Sequence, residues 1–381
     1  MSEKSVLFYN DSEVFGGHEI MTVRIIRSLH ERGYRVHCLY HVAAFQEHLP
    51  EGVTATRLPF HTKTRSFTMP TGGWQVSHVR QLMEAARPDL VVVAQGYAES
   101  GVRGLLASRR AGLPTVSYIP FGNNNTELNN RFALPRDWVC KAIYRLPDAY
   151  ITISPHQARL LARFTRGDQP IHVIVNPADF DFAPPAKAVS FPADGPLEIA
   201  VVGRIVFKQK NQGVLVSLLR ALEGQRPCRI HVIGDGPDRP RLEGEIRAAG
   251  LENRILVHGW MTKPELVPFL SERIDLLLIP SIYEGLPLIL LETLHLNKPF
   301  LISDMGLLED YDVPAAWRFD PRDPAQIARR LLDLGHCFDA EAHRRLRDQV
   351  MAIHGVERFH ADVASVFAQL DSAFRNRHQR S

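Results

Sequence analysis

The sequence predicts an α/β protein built from two doubly wound domains, each a parallel sheet with helices on both faces. Short apolar runs rich in β-branched residues alternate with longer amphipathic stretches along the whole chain of 381 residues. Such continuous apolar strands between helices are typical of parallel sheets that are buried on both faces. The chain is also longer than one hydrophobic core normally supports, so we expect two domains.

The first domain is expected over residues 1–180. Its strand candidates are SVLFY, RVHCLY, PDLVVVA, PTVSYI, AYITIS and IHVIV. Between the first two runs, the apolar residues of EIMTVRIIRSLHERG recur at helical spacing, and Gly33 lies where a helix C-cap belongs. The segment therefore predicts a strand, a helix and a second strand at the start of the domain.

The second domain is expected over residues 197–345. Its strand candidates are LEIAVV, RIHVI, RILVHG, IDLLLI and PFLIS. Residues 181–196 are rich in proline and glycine and predict a linker. Residues 346–381 predict a helical tail with a basic end, which either packs back on the first domain or frays. Two such domains facing each other would place the carboxyl ends of both sheets at a shared cleft, where these folds bind ligands.

Composition bounds the function. With 45% hydrophobic and 23% charged residues the chain is of the globular class, and a net charge of +3 gives no indication of nucleic-acid binding. Residues 1–180 hold 20 basic and 15 acidic side chains. This excess suits an anionic acceptor or a membrane surface, or is simply a solvated face. No apolar stretch reaches spanning length, and the run from Val6 to Tyr9 is too short for a signal peptide, so any membrane contact would be peripheral.

The cysteines indicate a reducing compartment. Cys38, Cys140, Cys228 and Cys337 are far apart and form no C-x-x-C pair. This spacing favours neither a zinc site nor a disulfide framework. We therefore expect a cytoplasmic protein, at the inner face of a membrane if it contacts one.

The segment IDLLLIPSIYEGLPLILLETLHLNKPF carries the chemistry. A buried strand runs into a polar turn with Glu284 and Gly285, and Pro287 follows where the first helical residue would be. The unpaired amides of the new helix suit phosphate or sugar oxygens. Glu292 lies about 7.5 Å further along the helix axis, so the two carboxylates would hold two polyol portions of one ligand. Alternatively, Glu284 caps the helix and Glu292 is a surface carboxylate.

The stretch from Glu284 to Glu292 resembles the E-x7-E signature of glycosyltransferase family 4, which has the GT-B fold of two facing Rossmann-like domains. Other segments resemble that family in the same order along the chain. They are VFGGHEIMTVRIIRSL, IVNPADF, AVVGRIVFKQKNQGVLVSLLRAL, and HVIGDGPDRPRLEGEI followed by RILVHGW. The resemblance extends from about residue 171 to 310 and includes the early glycine loop, but not the tail.

The resemblance implies a donor site. Glu284 would face the donor sugar and Glu292 the ribose hydroxyls, while Arg204 and Lys210 would neutralise the diphosphate. The family often has Lys where this chain has Gln209. Lys208 and Lys210 flank that position, and Lys210 is favoured because Asn211 and Gln212 continue the pattern. A structural salt bridge is the alternative role for Arg204. The remaining donor-binding candidates are Gly16, Gly17, Asn176, Gly234, Trp260, Gly285, Leu286 and Pro287.

The acceptor side departs from the family. Gly16 and Gly17 would let a leaving phosphate approach the backbone at a helix N-terminus, or would simply form a tight turn. Family members commonly place a His after the strand that PTVSYI represents, but here the sequence continues as PFGNNN. His18 and His61 are possible substitutes from other loops. Tyr118, Asn123 and Asn124 are the candidate acceptor-binding residues.

Two short motifs resemble metal- or cofactor-binding sequences but do not predict such sites here. Asp179-Phe-Asp181 matches the D-x-D metal motif of the other main glycosyltransferase fold, but it lies at the expected linker, so we expect no metal. Gly234-Asp235-Gly236 lacks the full G-x-G-x-x-G of a dinucleotide loop, so we expect no nicotinamide or other cofactor.

The resemblance implies a retaining, metal-independent transfer of a hexose-type sugar from a nucleoside-diphosphate sugar to a glycan or lipid-linked acceptor, in cell-surface polysaccharide synthesis. A natural-product or protein acceptor stays open. The alternatives to a transferase are a non-catalytic relative that binds nucleotide sugars and a sugar-nucleotide epimerase.

Overall fold

A computed structural model of the chain describes residues 4–60, 73–128, 130–178, 180, 182–185, 189–192 and 194–378. The chain divides into two compact units. Unit 1 comprises residues 1–177 and 356–381, and unit 2 comprises residues 178–355.

Unit 1 contains a parallel sheet of seven strands within the described ranges, in the order β3-β2-β1-β4-β5-β6-β7. The strands are β1 Ser5–Asn10, β2 Arg35–Tyr40, β3 Thr54–Arg57, β4 Leu90–Ala94, β5 Thr115–Tyr118, β6 Ala149–Thr152 and β7 Ile171–Val173. The six strands expected from the sequence are confirmed. The edge strand β3 was not expected, because the residues Thr-Ala-Thr-Arg form no apolar run. Chain order reverses between β1 and β4, which is the switch point of this sheet.

The first six helices all belong to unit 1. They are α1 Gly17–His30, α2 Ala43–Glu47, α3 Gly73–Ala86, α4 Val102–Arg110, α5 Ala133–Ile143 and α6 Pro155–Ala162. The predicted end of α1 is confirmed: Gly33 has a φ of 79°, and the Gly33 and Tyr34 amides donate to the carbonyls of His30 and Leu29. This left-handed conformation is one that glycine adopts at little cost.

Unit 2 contains a parallel sheet of six strands within its described residues, in the order β10-β9-β8-β11-β12-β13. The strands are β8 Leu197–Val202, β9 Cys228–Ile233, β10 Ile255–Gly259, β11 Leu276–Ile279, β12 Phe300–Ser303 and β13 Arg318–Phe319. The five expected strands are confirmed, and the additional β13 is only two residues long. The switch point of this sheet lies between β8 and β11.

Seven helices and two short 3-10 helices cover this sheet in the described part of unit 2. They are α7 Phe207–Lys210, α8 Val214–Ala221, α9 Arg239–Ala249, α10 Lys263–Arg273, α11 Leu288–His295, α12 Pro324–Cys337 and α13 Ala340–Ile353, with 3-10 turns at Gly306–Asp310 and Ala315–Trp317. Helix α13 buries His343, Leu346 and Val350. Unit 2 therefore continues to Gly355 rather than ending at residue 345.

The last helix, α14 Val356–His378, returns to unit 1 and packs on α1 and the turn after it. Arg32 donates to the carbonyl of His360 at 2.9 Å, and the Tyr34 hydroxyl donates to Asp371 at 3.1 Å. Phe367 is fully buried. None of the helices in the described ranges is long and apolar enough to cross a membrane.

Candidate functional site

The loops after β8 and β11 are neighbours at the carboxyl edge of the unit 2 sheet. The two strands pair directly, with Ile199 opposite Leu276. Because they flank the switch point, their following loops line the crevice where doubly wound sheets bind ligands. Arg204 lies in the first loop and Glu284 in the second.

The loop after β8 is shaped to bring Lys210 back over the strand end. Gly203 has a φ of 139°, and a Cβ at that position would lie 3.5 Å from Cε of Lys210. The short helix α7 is held at its start by the Phe207 amide, which donates to Asp238 Oδ2 at 2.8 Å. At its end, the Gln209 carbonyl accepts from the Ile282 amide at 2.7 Å, which ties the two loops together.

Lys210 and Glu284 form an ion pair between Nζ and Oε1. The Lys210 and Glu284 side chains are 19% and 7% exposed. The Ser281 hydroxyl donates to the same carboxylate oxygen at 2.8 Å, which fixes the orientation of Glu284. Removing both charges from water costs about as much free energy as their attraction returns, so the pair adds little to the stability of the fold. Its role is better explained as holding the Lys210 and Glu284 side chains in fixed positions. The preference for Lys210 over Lys208 agrees with this geometry.

Arg204 is an exposed cation two residues after the end of β8, in the same loop as Lys210. Its backbone carbonyl accepts from Gln212 Nε2 at 2.9 Å, which holds the loop. Its guanidinium makes no hydrogen bond or ion pair with any residue in the described ranges. The described part of the protein thus gives Arg204 no structural salt bridge and leaves its donors available for an anion.

The start of α11 differs by one residue from the sequence expectation. Pro287 is the N-cap, with a φ of −69° and a ψ of 108°, and the helix begins at Leu288. The extended ψ excludes Pro287 from the first helical turn. Gly285 and Leu286 therefore precede the cap, and the orphan amides of the first turn still point toward the strand end.

Glu292 lies in the second turn of α11 and is half-buried, so it is not a simple surface carboxylate. Burial raises the pKa of the Glu292 carboxyl, while the charge of Lys263 opposes that rise. Its carboxylate accepts no hydrogen bond from the described residues. A half-buried acid that no described residue donates to, at a strand-end site, is a candidate for binding ligand hydroxyls.

Gly234 has a structural reason to be glycine. Its φ is 140°, and a Cβ there would collide with the carbonyl oxygen of Gly203. Gly236 approaches the Ile205 carbonyl in the same way. These two glycines let the loop after β9 lie against the loop after β8, so they shape the site through packing. Trp260 follows β10 and is largely exposed.

In unit 1, the glycine loop begins α1 after β1. Gly16 is the N-cap, and its amide donates to Glu19 Oε2 at 3.0 Å. Its φ of −148° is one that any residue adopts, and a Cβ there would make only an ordinary contact of 3.6 Å with Glu19. Neither turn geometry nor packing requires glycine at this position. This favours ligand approach over a tight turn as the reason for Gly16, and Gly17 is exposed beside it.

His18 follows these glycines and stacks on Tyr118 at the end of β5, with ring centroids 4.9 Å apart. Both ring nitrogens are buried and have no hydrogen-bond partner among the described residues. Burial lowers the pKa of His18, so the ring is neutral at pH 7. Tyr118 is almost fully buried and supports the ring from one side. His61, Asp179 and Asp181 lie outside the described residues.

The other acceptor candidates are engaged locally. Asn123 Nδ2 donates to Glu127 Oε2 at 3.3 Å, and Asn124 Oδ1 accepts from the Glu127 amide at 2.6 Å. These contacts form a turn after β5. Asn176 is buried beyond the end of β7. Acceptor or donor binding by these three residues stays a prediction.

Sequence reasoning missed two supporting residues of the unit 2 site, Ser281 and Lys263. Ser281 comes two residues after β11 and three before Glu284, a spacing that could have suggested a hydroxyl holding the carboxylate. Lys263 begins α10 and lies too far along the chain from Glu292 for spacing to reveal it. Among the described residues no group of three His, Cys, Asp or Glu side chains is placed to hold a metal ion.

Two doubly wound units in one chain, with cations and carboxylates at the switch point of the second, are the features expected of glycosyltransferases with the GT-B fold. Residues 15–182 match the family described as Glycosyltransferase Family 4, and residues 184–350 match Glycosyl transferases group 1. The chain belongs to the glycosyltransferases of the family 4 type.

Several proteins are similar to this chain. Lipopolysaccharide 1,6-galactosyltransferase of Salmonella typhimurium is 31% identical over 140 residues, 36% of this chain and 37% of that protein. The 2-deoxystreptamine N-acetyl-D-glucosaminyltransferase of Streptomyces fradiae is 25% identical over 369 residues, 87% of this chain and 85% of that protein. The match to the galactosyltransferase thus spans less than two fifths of its length.

Among solved structures, Anabaena HepE in complex with UDP and glucose superposes with a TM-score of 0.72 at 18% identity, over 97% of this chain and 100% of that one. At this identity the likeness establishes the shared fold.

Proposed function

We propose that this protein is a retaining glycosyltransferase that moves a hexose-type sugar from a nucleoside-diphosphate sugar to a glycan or lipid-linked acceptor. We place it in cell-surface polysaccharide synthesis, in the cytoplasm at the inner face of the membrane. The observation that carries the proposal is the strand-end cluster of unit 2. There Lys210 is held by Glu284, and Arg204 presents a guanidinium that pairs with none of the residues that the structure describes.

The cluster fits the charge of a nucleoside-diphosphate sugar. Two cations, Arg204 and Lys210, and the amides at the start of α11 would hold the diphosphate, since helix N-termini and guanidinium groups both favour phosphate oxygens. Glu284 would accept hydrogen bonds from the sugar hydroxyls and Glu292 from the ribose. The related galactosyltransferase acts on lipopolysaccharide by its name, and HepE, which has the same fold, was crystallised with UDP and glucose. Both names support this substrate class.

The reaction breaks the bond between the anomeric carbon and the β-phosphate oxygen and forms a bond from that carbon to an acceptor oxygen. Positive charge develops on the sugar and negative charge on the departing diphosphate. Arg204, Lys210 and the α11 amides would stabilise the departing anion in place. The acceptor would attack from the face that the phosphate leaves, and its proton would pass to the leaving phosphate oxygen. This route retains the anomeric configuration and needs neither a metal ion nor a dedicated protein base.

Unit 1 would supply the acceptor side, with Tyr118, Asn123 and Asn124 as candidate contacts. His18 is the strongest addition to them, because its two ring nitrogens are buried and make no hydrogen bond within the described part of the chain. A neutral imidazole offers one donor and one acceptor, which suits a sugar hydroxyl.

A panel of nucleotide sugars with different bases and hexoses tests the proposal. Slow release of nucleoside diphosphate with free sugar, and faster release with a suitable acceptor, is the expected result. The anomeric configuration of the product, read by proton NMR, tests retention. An altered sugar on an intact donor would instead identify an epimerase. Binding without turnover of any donor would identify a nucleotide-sugar-binding protein.

A further inference from the structure

A cluster of exposed apolar side chains lies on unit 1 around the start of α5. Nine large hydrophobic side chains are well exposed among the residues that the structure describes. Four of the nine fall within eight consecutive residues: Phe132, Leu134, Trp138 and Val139, with 67%, 70%, 76% and 43% of their surfaces exposed. Single exposed hydrophobic residues are ordinary, but a contiguous set marks a surface that binds something. We name these four residues the α5 apolar face.

The geometry of α5 separates this face from the core. Leu134 and Trp138 are four residues apart and so lie on the same side of the helix. Cys140 and Ile143 point the other way and are buried. Phe132 precedes the helix with a φ of 56°, a conformation that aromatic residues rarely adopt. One side of the helix therefore packs on unit 1, and the other side exposes apolar side chains to solvent.

Cations surround the α5 apolar face. The Arg131 guanidinium lies 5.0 Å from the ring centre of Phe132, and the Lys141 ammonium lies 5.8 Å from that of Trp138. Arg145 is exposed one turn further on. Long basic side chains can cover an apolar surface with their stems while their charges reach a polar layer above it.

The acidic residue of α5 does not oppose these cations. Asp137 accepts from the amides of Asn125 and Thr126 at 2.7 and 3.1 Å, so its charge is engaged by the neighbouring loop. Arg136, on the same helix, is paired with Glu99. The outward side of α5 thus combines aromatic and aliphatic side chains with cations that have no carboxylate facing them on this helix.

We infer that the α5 apolar face, with Arg131, Lys141 and Arg145, docks on the surface of an anionic phospholipid bilayer. Tryptophan and phenylalanine beside lysine and arginine are the combination that helices lying in the membrane interface use. The cations match negative headgroups, and the apolar side chains match the region just below them. This names a partner surface for a lipid-linked acceptor in the proposed function, but binding to vesicles requires no turnover and is tested separately.

The test is sedimentation of the full-length protein with vesicles of phosphatidylglycerol and phosphatidylethanolamine, compared with vesicles of phosphatidylcholine alone. We expect binding to the anionic vesicles, weakening as salt is raised, and a blue shift of tryptophan fluorescence on binding. The double variant F132S/W138S should need at least tenfold more lipid for half-maximal binding. Lys141→Ala should need about fivefold more, the effect of removing one charge near an anionic surface.

Trp260→Ser is the matched control, because Trp260 is also 76% exposed but lies in unit 2. It should bind vesicles as wild type does. The inference is overturned if the wild-type protein does not sediment with anionic vesicles, or if Trp260→Ser loses binding as strongly as F132S/W138S. A dimer that Trp138→Ser dissociates, without vesicle binding, would also overturn it and assign the face to a second copy of this chain. Because donor hydrolysis is measured without vesicles, failure here leaves the transferase assay unaffected.

Discussion

Replacing Arg204 with alanine separates a ligand-binding cation from a structural one. The guanidinium is exposed and makes no ion pair with the described residues, so its loss should change the free energy of unfolding by no more than about 0.5 kcal/mol. A charge-assisted hydrogen bond to a diphosphate contributes about 1.5–3 kcal/mol. Since 1.4 kcal/mol is a tenfold change, the dissociation constant for nucleoside diphosphate should rise roughly 10- to 150-fold.

The assay is isothermal titration calorimetry with the nucleoside diphosphate of the preferred donor, together with thermal unfolding of each variant. Arg220→Ala is the matched control. Arg220 is an exposed arginine of the same unit, but it lies in the last turn of α8, which leads away from the carboxyl edge of the sheet. Its variant should bind like wild type. The reasoning is refuted if Arg204→Ala binds within threefold of wild type, or if both variants lose affinity equally.

Three further predictions concern neighbouring groups. Lys210→Ala removes the cation that pairs with the Glu284 carboxylate, whose side chain is 7% exposed, so this variant should be destabilised by roughly 3 kcal/mol. Glu284→Ala should be destabilised less, because the Lys210 side chain that remains is better hydrated. Equal melting temperatures for the two variants would contradict this. Burial raises the pKa of Glu292, so its carboxylate is protonated at a higher pH than that of an ordinary glutamate, whose pKa is 4.5. As the pH is lowered, affinity for the nucleotide sugar should therefore begin to fall above that value. Glu292→Gln should bind more weakly at pH 7 and lose that pH dependence; an unchanged acid limb in calorimetry would exclude Glu292 as its source. His18→Phe keeps the stacking on Tyr118 and removes two nitrogens that have no hydrogen-bond partner in the described ranges, so it should retain thermal stability while lowering kcat/KM at least tenfold. A less stable variant with normal turnover would assign the ring a packing role.

The architecture was predictable because buried parallel strands leave a strong local signal. Runs such as Leu90–Ala94 and Leu276–Ile279 are apolar throughout, since both faces of the sheet are covered. The sequence did not predict the edge strands Thr54–Arg57 and Arg318–Phe319, because they contain little or no apolar run. The sequence also did not predict that α13 belongs to unit 2, because amphipathic spacing indicates that a helix packs on a core but not on which unit.

The residues of the candidate site in unit 2 were predictable where they belong to one sequence motif, and not where separate segments of the chain meet. Sequence spacing placed Glu284 in the turn after a strand and Glu292 in the helix that follows, and the family resemblance supplied Arg204 and Lys210. The Ser281 hydroxyl and the Lys263 charge depend on tertiary placement, which local patterns do not contain. The sequence also offers His18 as a candidate, but its case depends on both ring nitrogens being buried without a hydrogen-bond partner among the residues described, a property visible only in the folded chain.

The central claim is that Arg204, Lys210, Glu284 and Glu292 bind one nucleotide-sugar molecule. The most direct test is a crystal structure of the protein soaked with its preferred donor. The account predicts diphosphate oxygens at about 3 Å from the Arg204 and Lys210 nitrogens, with the ribose at Glu292 and the hexose at Glu284. Donor density elsewhere on the protein, with no contact to these four side chains, would contradict it.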